Sequence, residues 1–424
     1  MAQKPSPDTP HSPETPLNPW PIAVAGLVAL AVAMGIGRFA FTPLLPMMLH
    51  DGVVDLPTAS WLASANYLGY LLGALLCTFQ PWLWRQLGWR RPVDPVRALR
   101  AGLAVTALLT LAMALPWPRA WPVLRFAAGM ASALVFIYTS GWCLTQLAQR
   151  QAGALGGVMY AGPGAGIVAS GLAASALVAV GWRAATGWVL FGVLAALLTA
   201  GAWRVFRSVP PATAGPAGPA GSATAAGIAA GTPRATGGEI ALLALAYGLA
   251  GFGYIVTATF LPVIARTALP DATTALDLFW PVFGLGVVGG ALLSTRLSAH
   301  GNQRLRLAVC YGVQAMGVLA SLVSPSLAGF ALGSLLLGLP FTAITFFAMQ
   351  EARRLRPEAV ASTMGLLTAL YGAGQIIGPP LVAALVARVG SAAQGFTLSL
   401  QVAASALVVG AGLYGVLLVR YPAK

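Results

Sequence analysis

Hydrophobic and polar positions along this chain alternate in long blocks. Apolar runs of about 20 residues recur over the whole length, each long enough to cross a hydrocarbon core of roughly 30 Å as a helix. In lipid, a helix satisfies its backbone donors within its own segment. The pattern predicts an all-α integral membrane protein with twelve spans, at residues 21–48, 59–82, 98–116, 121–147, 152–180, 183–205, 239–265, 277–298, 305–324, 327–350, 358–387 and 392–419.

The composition supports this prediction. Of 424 residues, 58% are hydrophobic and 8% are charged, whereas soluble domains carry about 25% charged residues. The first apolar run is too long for a cleaved signal peptide, and only Lys4 precedes it. The three cysteines and three histidines form no cluster, so we expect no disulfide framework, metal site, cofactor or membrane enzyme.

One low-complexity stretch divides the chain. Residues 207–238, "RSVPPATAGPAGPAGSATAAGIAAGTPRATGG", are rich in Pro, Ala and Gly, which is typical of a flexible connector. We therefore expect five segments. They are a disordered tail at 1–20, a six-helix bundle at 21–206, the linker at 207–238, a second six-helix bundle at 239–420 and a short tail at 421–424.

The two predicted bundles resemble each other in sequence. "GIGRFAFTPLLP" at 35–46 aligns with "GFGYIVTATFLP" at 251–262, and the same offset pairs "GP" at 162–163 with "GP" at 378–379. Such a duplication predicts parallel repeats with a binding site between them, an architecture of secondary transporters.

The formal charge of +14 is distributed unevenly between the two predicted sides. With the N-terminus inside, the opposite side carries only Arg119, Arg125, Arg183, Arg266 and Arg388, and Arg38 lies within a span. The positive-inside rule then places both termini in the cytoplasm. We expect the basic residues to face anionic lipid rather than nucleic acid, and the protein to be monomeric.

The chain resembles a major facilitator superfamily (MFS) transporter over all twelve spans and the linker. "GIGRFAFTPLLPMM" and "ASWLASANYLGYLLGALL" resemble, more narrowly, the YbfB/YjiJ-type bacterial members. The resemblance implies the MFS fold and gating or packing motifs. "PWLWRQLGWR" at 81–90 retains Gly88 and Arg90 of the loop signature between helices 2 and 3, but Arg85 replaces its acidic residue.

The glycine motif of helix 5 is better preserved than the loop signature. "GGVMYAGPGAG" matches it through Gly157, Gly162, Pro163 and Gly166, and in the superfamily this motif is associated with exporters. The similar "GAGQIIGPP" in helix 11 contains Gly374, Gly378 and Pro379, so ordinary packing between small residues also explains the motif.

Arg38 is the most informative single residue. It lies in "GIGRFA", which fits a dinucleotide-binding loop but sits inside a span rather than after a strand, so that interpretation fails. A charge within a span costs about 2.5–3.5 kcal/mol on insertion scales. Arg38 could face a cavity, snorkel to the outer headgroups, or bond carbonyls freed by Pro43.

No carboxylate is predicted at mid-membrane, because the acidic residues lie in tails, loops or helix ends. An anionic cargo could therefore supply the negatively charged partner that Arg38 lacks. For proton coupling, the one candidate is Asp277, near the outer end of helix 8. "QEARRLRPE" at 350–358 reads as a solvated cytoplasmic loop. By resemblance, further substrate-binding candidates lie on cavity-lining helices, although any one of them could equally be a packing residue: Asn66, Tyr70, Tyr138, Trp142, Tyr160, Tyr254 and Gln375.

These observations favour a secondary transporter that moves a small organic solute, with an organic anion as the leading choice. Proton-linked drug or metabolite efflux is an alternative that the helix 5 motif favours and the missing carboxylate weakens. A transporter-like membrane sensor is an alternative of another class, and we would expect it to carry a signalling domain.

Overall fold

The computed structural model describes residues 18–88, 93–207, 236–269, 275–297, 301–356 and 360–422. All regular elements within these ranges are helices, and 12 of them are long and apolar enough to cross a membrane. The number and order of the predicted spans are thereby confirmed. The tail at 1–17, Arg90, linker residues 208–235 and the last two residues lie outside the described ranges.

The spans form two sets of six. The N-terminal set is α1 (Trp20–His50), α2 (Leu56–Gln86), α3 (Pro95–Ala112), α4 (Trp121–Gln149), α5 (Gly153–Ala179) and α6 (Ala184–Trp203). The C-terminal set is α7 (Gly237–Ala268), α8 (Ala275–Ser294), α9 (Gln303–Val323), α10 (Leu327–Leu355), α11 (Val360–Val389) and α12 (Ala392–Arg420).

Two belts of exposed tryptophan mark the ends of the helices. We call the face where α1 begins the Trp20 face and the opposite one the His50 face. Large amphipathic rings prefer the level of the lipid headgroups, so this arrangement fits a multi-pass membrane protein. The belts consist of Trp20, Trp82 and Trp203 at the Trp20 face and of Trp61, Trp117 and Trp182 at the His50 face.

Asp55 and Gly88 mark the two ends of α2. Asp55 caps α2 by accepting a 2.8 Å hydrogen bond from the Thr58 amide, and hydrogen bonds from Thr58 hold the pKa of Asp55 below its usual value. After the other end of α2, Gly88 has a backbone φ of +68°, a conformation that side chains disfavour. The glycine of the loop signature therefore serves as a helix stop.

Three spans are interrupted close to a proline. The breaks lie at residues 37–40 of α1 ahead of Pro43, at Ala161 of α5 ahead of Pro163, and at the Pro340 position of α10. Proline lacks the backbone donor that would continue the ladder. By contrast, α7 continues through Pro262 and α11 through Pro379.

The two sets pack on each other through α2 with α11, α5 with α8, and the second half of α1 with α7. The α5–α8 crossing depends on glycine. A Cβ added at Gly164 would lie 2.7 Å from the Gly284 carbonyl oxygen, and one added at Gly284 would lie 2.9 Å from that of Gly164. No side chain larger than hydrogen fits without moving one set away from the other.

Within the C-terminal set, Arg304 joins four helices at the Trp20 face. Its guanidinium pairs with Glu239 of α7, donates a 2.5 Å hydrogen bond to Glu351 of α10, and donates to the Leu417 carbonyl of α12 at 3.0 Å. Arg354 adds a second partner for Glu351, at 2.8 Å. Paired in this way, both carboxylates tolerate burial.

This network corrects the interpretation of residues 350–358 as a solvated loop. The helix α10 continues to Leu355, and Glu351 is only 1% exposed. The sequence shows a polar, strongly charged segment, but it does not show that a distant arginine neutralises it. Residues 357–359 lie outside the described part of the chain.

Candidate substrate site

The backbone of α1 changes form just before Arg38. Residues Ala31–Ile36 form a π-helix, in which the amide of Gly37 bonds the Val32 carbonyl at 2.8 Å, and a turn at residues 37–40 follows. The α-helical ladder resumes only with Phe41–His50. The π-helix is rare in proteins, but where it occurs it is often part of a functional site. It redirects side chains and leaves backbone carbonyls without their helical partners.

Arg125 of α4 binds the carbonyls freed by this turn. Its Nη1 donates to the Gly37 oxygen at 3.2 Å and its Nη2 to the Arg38 oxygen at 3.1 Å, while its side chain is buried. The ring of Phe41 lies 5.0 Å from the guanidinium carbon. Asn66 completes the arrangement by donating a 2.9 Å bond to the backbone oxygen of Arg125.

This position corrects the assignment of Arg125 to the charges outside the membrane. The residue lies four positions inside α4 and is 2% exposed. The predicted span already began at residue 121, so a second intramembrane arginine could have been recognised from the sequence. Its partners could not, because they are backbone atoms of a helix that departs from α-helical geometry.

Arg38 points toward the C-terminal set. Its Nη2 donates a 2.7 Å hydrogen bond to the Gln375 Oε1, and the Gln375 amide in turn donates to the Tyr254 hydroxyl. The guanidinium carbon lies 4.0 Å from the centre of the Tyr70 ring and 5.1 Å from that of Tyr67. Four of the predicted site residues, Arg38, Tyr70, Tyr254 and Gln375, thus lie together.

The local alternatives for Arg38 do not hold. The residue is 2% exposed, so its guanidinium is enclosed by protein and does not extend along a lipid-facing surface. The carbonyls of Gly37 and Arg38 are bonded by Arg125 rather than by the Arg38 side chain. Within the described part of the chain, no carboxylate forms an ion pair with Arg38. Its Nε is buried and has no hydrogen-bond partner among the described residues.

Three further hydrogen bonds join the two sets around Arg38. Thr42 donates to the Ala258 carbonyl at 3.0 Å, and the Tyr67 hydroxyl lies 2.9 Å from the Thr259 hydroxyl. Ser64 donates to the Ile376 carbonyl at 2.8 Å, one residue beyond Gln375. The Thr42–Ala258 and Tyr67–Thr259 hydrogen bonds lie on the His50 side of Arg38, and on that side the two sets are in contact.

The remaining aromatic candidates form a separate group nearer the Trp20 face. Tyr138 lies 13 residues beyond Arg125 in α4, which corresponds to about 20 Å of helix. The Tyr160 ring lies 6.2 Å from that of Phe136, and the Trp142 ring lies 5.3 Å from that of Phe206. Among the described residues, no hydrogen bond or ring contact joins Tyr138, Trp142 or Tyr160 to Arg38 or Gln375.

The Trp142 ring packs edge-on against the ring of Phe206, which follows α6, so this contact joins α4 to the end of α6. Asn66 is likewise engaged by the backbone of α4, as described above. Both residues were predicted as substrate contacts. The Asn66 Nδ2 is used by the protein itself, whereas the Asn66 Oδ1 and the Trp142 Nε1 are buried without a hydrogen-bond partner among the described residues.

Asp277 also lies far from Arg38. It pairs with Arg266 near the end of α7, at the His50 face. Arg266 is 12 residues beyond Tyr254, which corresponds to about 18 Å along α7. A proton carried by Asp277 would therefore have no direct contact with the Arg38 layer in this conformation.

The comparison with protein families identifies the class. The family model described as "Uncharacterised MFS-type transporter YbfB" matches residues 30–414. The chain belongs to this family of MFS-type transporters. No curated protein matches the chain significantly. Membership in a transporter family, together with twelve apolar helices, indicates a membrane transporter rather than an enzyme.

The motif glycines of this MFS-type transporter pack helices within a set. A Cβ at Gly162 would collide with the Leu27 carbonyl of α1, and one at Gly166 with the backbone of α1 near Gly35. On α11, a Cβ at Gly374 would collide with the backbone of α7, and one at Gly378 would collide with the side chain of Ile255. Of the three glycines in "GPGAG", Gly164, which the motif spacing does not single out, is the one at which an added Cβ would meet the other set.

The other motif positions are structural in simpler ways. Gly157 is buried in the short helix Gly156–Tyr160, and Pro163 begins the longer segment of α5. Pro379 is a buried residue inside α11. These roles agree with packing, and they give no information on the direction of transport.

Proposed function

We propose that this protein is a secondary transporter that moves a small organic anion across the bacterial inner membrane by alternating access between its two sets of helices. One observation carries the proposal. Arg38 is a buried charge whose polar partner is the neutral amide of Gln375, and no described carboxylate pairs with it.

The energetics of Arg38 support an anionic cargo. A guanidinium in a span costs about 2.5–3.5 kcal/mol, and aromatic faces such as that of Tyr70 recover only about 0.5–2 kcal/mol. A carboxylate supplies both a charge and a second acceptor atom, so its bond to arginine is about twice as strong as a neutral one. A neutral solute of the same shape would leave the charge uncompensated.

The location of Arg38 supports transport between the sets. Its bond to Gln375 spans α1 and α11, and Tyr254 contributes from α7. In the predicted duplication, "GFGY" of α7 aligns with "GIGR" of α1, so Tyr254 is the residue of the second repeat that corresponds to Arg38. A cargo bound here touches both repeats, as alternating access requires.

We further propose that the Trp20 face is cytoplasmic. The basic residues at the opposite face are Arg119, Arg183, Arg266 and Arg388, once Arg125 is assigned to the interior. A reporter fused within residues 215–235 should read as cytoplasmic, and so should one fused after Lys424. A periplasmic signal at either position would contradict this orientation.

Ligand binding provides the main test, because a solute that binds the folded protein raises its apparent stability. We expect benzoate, acetate or succinate to raise the thermal midpoint of the purified transporter, and we expect the neutral benzamide not to do so. A panel in which only neutral or cationic solutes stabilise the protein would contradict the proposal.

Variants of Arg38 connect that binding to the site. Arg38→Lys keeps the charge but loses the planar fork, so anion affinity should fall about tenfold or more. Arg38→Gln should abolish anion transport in proteoliposomes while the protein remains monodisperse. The exposed Arg119→Gln is the matched control and should behave as wild type. If both Arg38 variants transport anions normally, or if neither folds, the anion proposal is wrong.

Proton-linked efflux is the second candidate. It rests on the resemblance of the α5 sequence to a motif associated with exporters, and the packing of the motif glycines does not distinguish export from import. It requires a titratable group that both sides can reach, and Asp277 is the candidate we identified. The ion pair between Asp277 and Arg266 holds two elements of the C-terminal set together, so a structural role also explains its position.

A further inference from the structure

Gln375 occupies the place that an anion would take. Its side chain is 2% exposed in α11, and both ends of its amide are used. Arginine has only donors, so the carbonyl end of the amide must face Arg38, and the NH₂ end then faces the Tyr254 hydroxyl. The amide orientation is therefore fixed by its two partners.

An amide is a weaker partner for a guanidinium than a carboxylate. It presents one uncharged oxygen, at 2.7 Å from the Arg38 Nη2, whereas a carboxylate presents two charged ones. The Arg38 Nε remains buried without a partner among the described residues while Gln375 is bound. The same guanidinium could thus gain from exchanging Gln375 for an anion.

The Arg38–Gln375 bond also holds the two sets together. It joins α1 to α11, and the neighbouring Ser64–Ile376 bond joins α2 to α11 at 2.8 Å. On the His50 side, Thr42 bonds the Ala258 carbonyl of α7. Releasing Gln375 would remove the one charge-assisted member of this group of hydrogen bonds.

We infer that Gln375 is an internal substitute for the transported anion: its amide holds Arg38 and keeps the sets closed on the His50 side until an anion replaces it. The identity of the competitor rests on the proposed function, whereas the closing role of the bond does not. Binding and opening are coupled because a single contact serves both.

The closing role is tested without any ligand. In a background with Cys77, Cys143 and Cys310 replaced by serine, Ala258→Cys introduces a thiol at a position that is 1% exposed and lies beneath Thr42. Its rate of labelling by a maleimide in purified protein reports separation of α1 from α7 on the His50 side.

Two substitutions of Gln375 should change this rate in opposite directions. Gln375→Met keeps the volume but removes the bond, so labelling should be roughly tenfold faster, the factor expected for one hydrogen bond to a charged group. Gln375→Glu replaces the amide with a permanent carboxylate, so labelling should be slower than in wild type. Gln149→Glu, an exposed change at the end of α4, is the control and should have no effect.

Equal labelling of wild type and Gln375→Met would overturn the closing role. If the methionine variant fails to fold, Gln375→Glu decides: labelling as fast as wild type, or faster, would overturn it too. Slower labelling of Gln375→Glu supports it.

The substitute role is tested with benzoate as the probe. Benzoate should bind Gln375→Met roughly tenfold more tightly than wild type, and it should fail to stabilise Gln375→Glu. Equal benzoate affinity in wild type and Gln375→Met would overturn the replacement of Gln375 by an anion. If no protein in the series responds to any of the three anions, the proposed function fails, and the ligand-free labelling still decides whether the bond closes the sets.

Discussion

Replacing Arg125 with leucine should both destabilise the transporter and displace Arg38. The carbonyls of Gly37 and Arg38 would lose donors that now lie at 3.2 and 3.1 Å. Each buried acceptor left unsatisfied costs about 1–3 kcal/mol, so the pair costs about 2–6 kcal/mol. Removal of a desolvated charge offsets part of this cost, so we expect a net loss of about 2–3 kcal/mol.

Thermal unfolding followed by tryptophan fluorescence measures this loss, since the chain has 12 tryptophans. At about 2 °C per kcal/mol, the midpoint should fall by about 4–6 °C. Arg119→Leu removes one positive charge from an exposed site near the same face and should shift the midpoint by less than about 1 °C.

If the role of Arg125 is purely structural, its loss should change only the thermal stability, so a second measurement is needed. If Arg125 positions Arg38, then Arg125→Leu should weaken benzoate binding more than its effect on folding explains, when both are measured well below the unfolding temperature. Arg125→Lys should restore part of the stability because it keeps a donor. An Arg125→Leu protein that unfolds like Arg119→Leu and binds benzoate like wild type would refute the reasoning.

Three other predictions follow from the packing and the ion pairs. Glu351→Gln should lower the free energy of unfolding by about 1–3 kcal/mol, since Arg304 retains its pair with Glu239. Loss of the Arg354 side chain, which is 40% exposed, should lower it by less than about 1 kcal/mol. Equal losses for the two variants would contradict the network. Gly164→Val should block transport by forcing α5 from α8, while Gly201→Val, in open space, should not; equal transport would contradict a close crossing. Asp277→Asn should leave exchange between two solute-loaded sides largely intact, and loss of exchange together with net uptake would show that Asp277 does more than couple protons.

The positions of the membrane-spanning helices could be predicted from the sequence because each one depends only on nearby residues. Each span is a run of apolar residues whose length matches the bilayer, and its ends carry residues such as Asp55 that cap helices. The number and order of spans depend on nothing else. Partners across the bundle depend on how helices rotate about their axes, and hydrophobicity is nearly uniform around such helices.

The candidate site shows where this limit lies. Arg38 was recognisable because a charge in a span is costly wherever it points. Gln375 and Tyr254, selected because they lie on helices that line the cavity in the superfamily, are joined to Arg38 by hydrogen bonds. Trp142 and Tyr160, selected by the same reasoning, lie nearer the Trp20 ends of their helices. Membership of a helix gives the neighbourhood of a residue but not its depth or its direction.

The two buried arginines divide two tasks between them. The Arg125 guanidinium donates to two backbone carbonyls, and these cannot move away without further unwinding of α1. Arg38 bonds a side chain, which can rotate away at the cost of one hydrogen bond. Of the two charges, we therefore expect Arg38 to be the one that exchanges its partner during a transport cycle, with Arg125 keeping it in place. The fixed contact, from Arg125 of α4 to the carbonyls of Gly37 and Arg38, and the exchangeable contact, from Arg38 to Gln375, meet at the same broken turn of α1. This difference between the two contacts is the physical basis on which we propose Arg38 for cargo recognition.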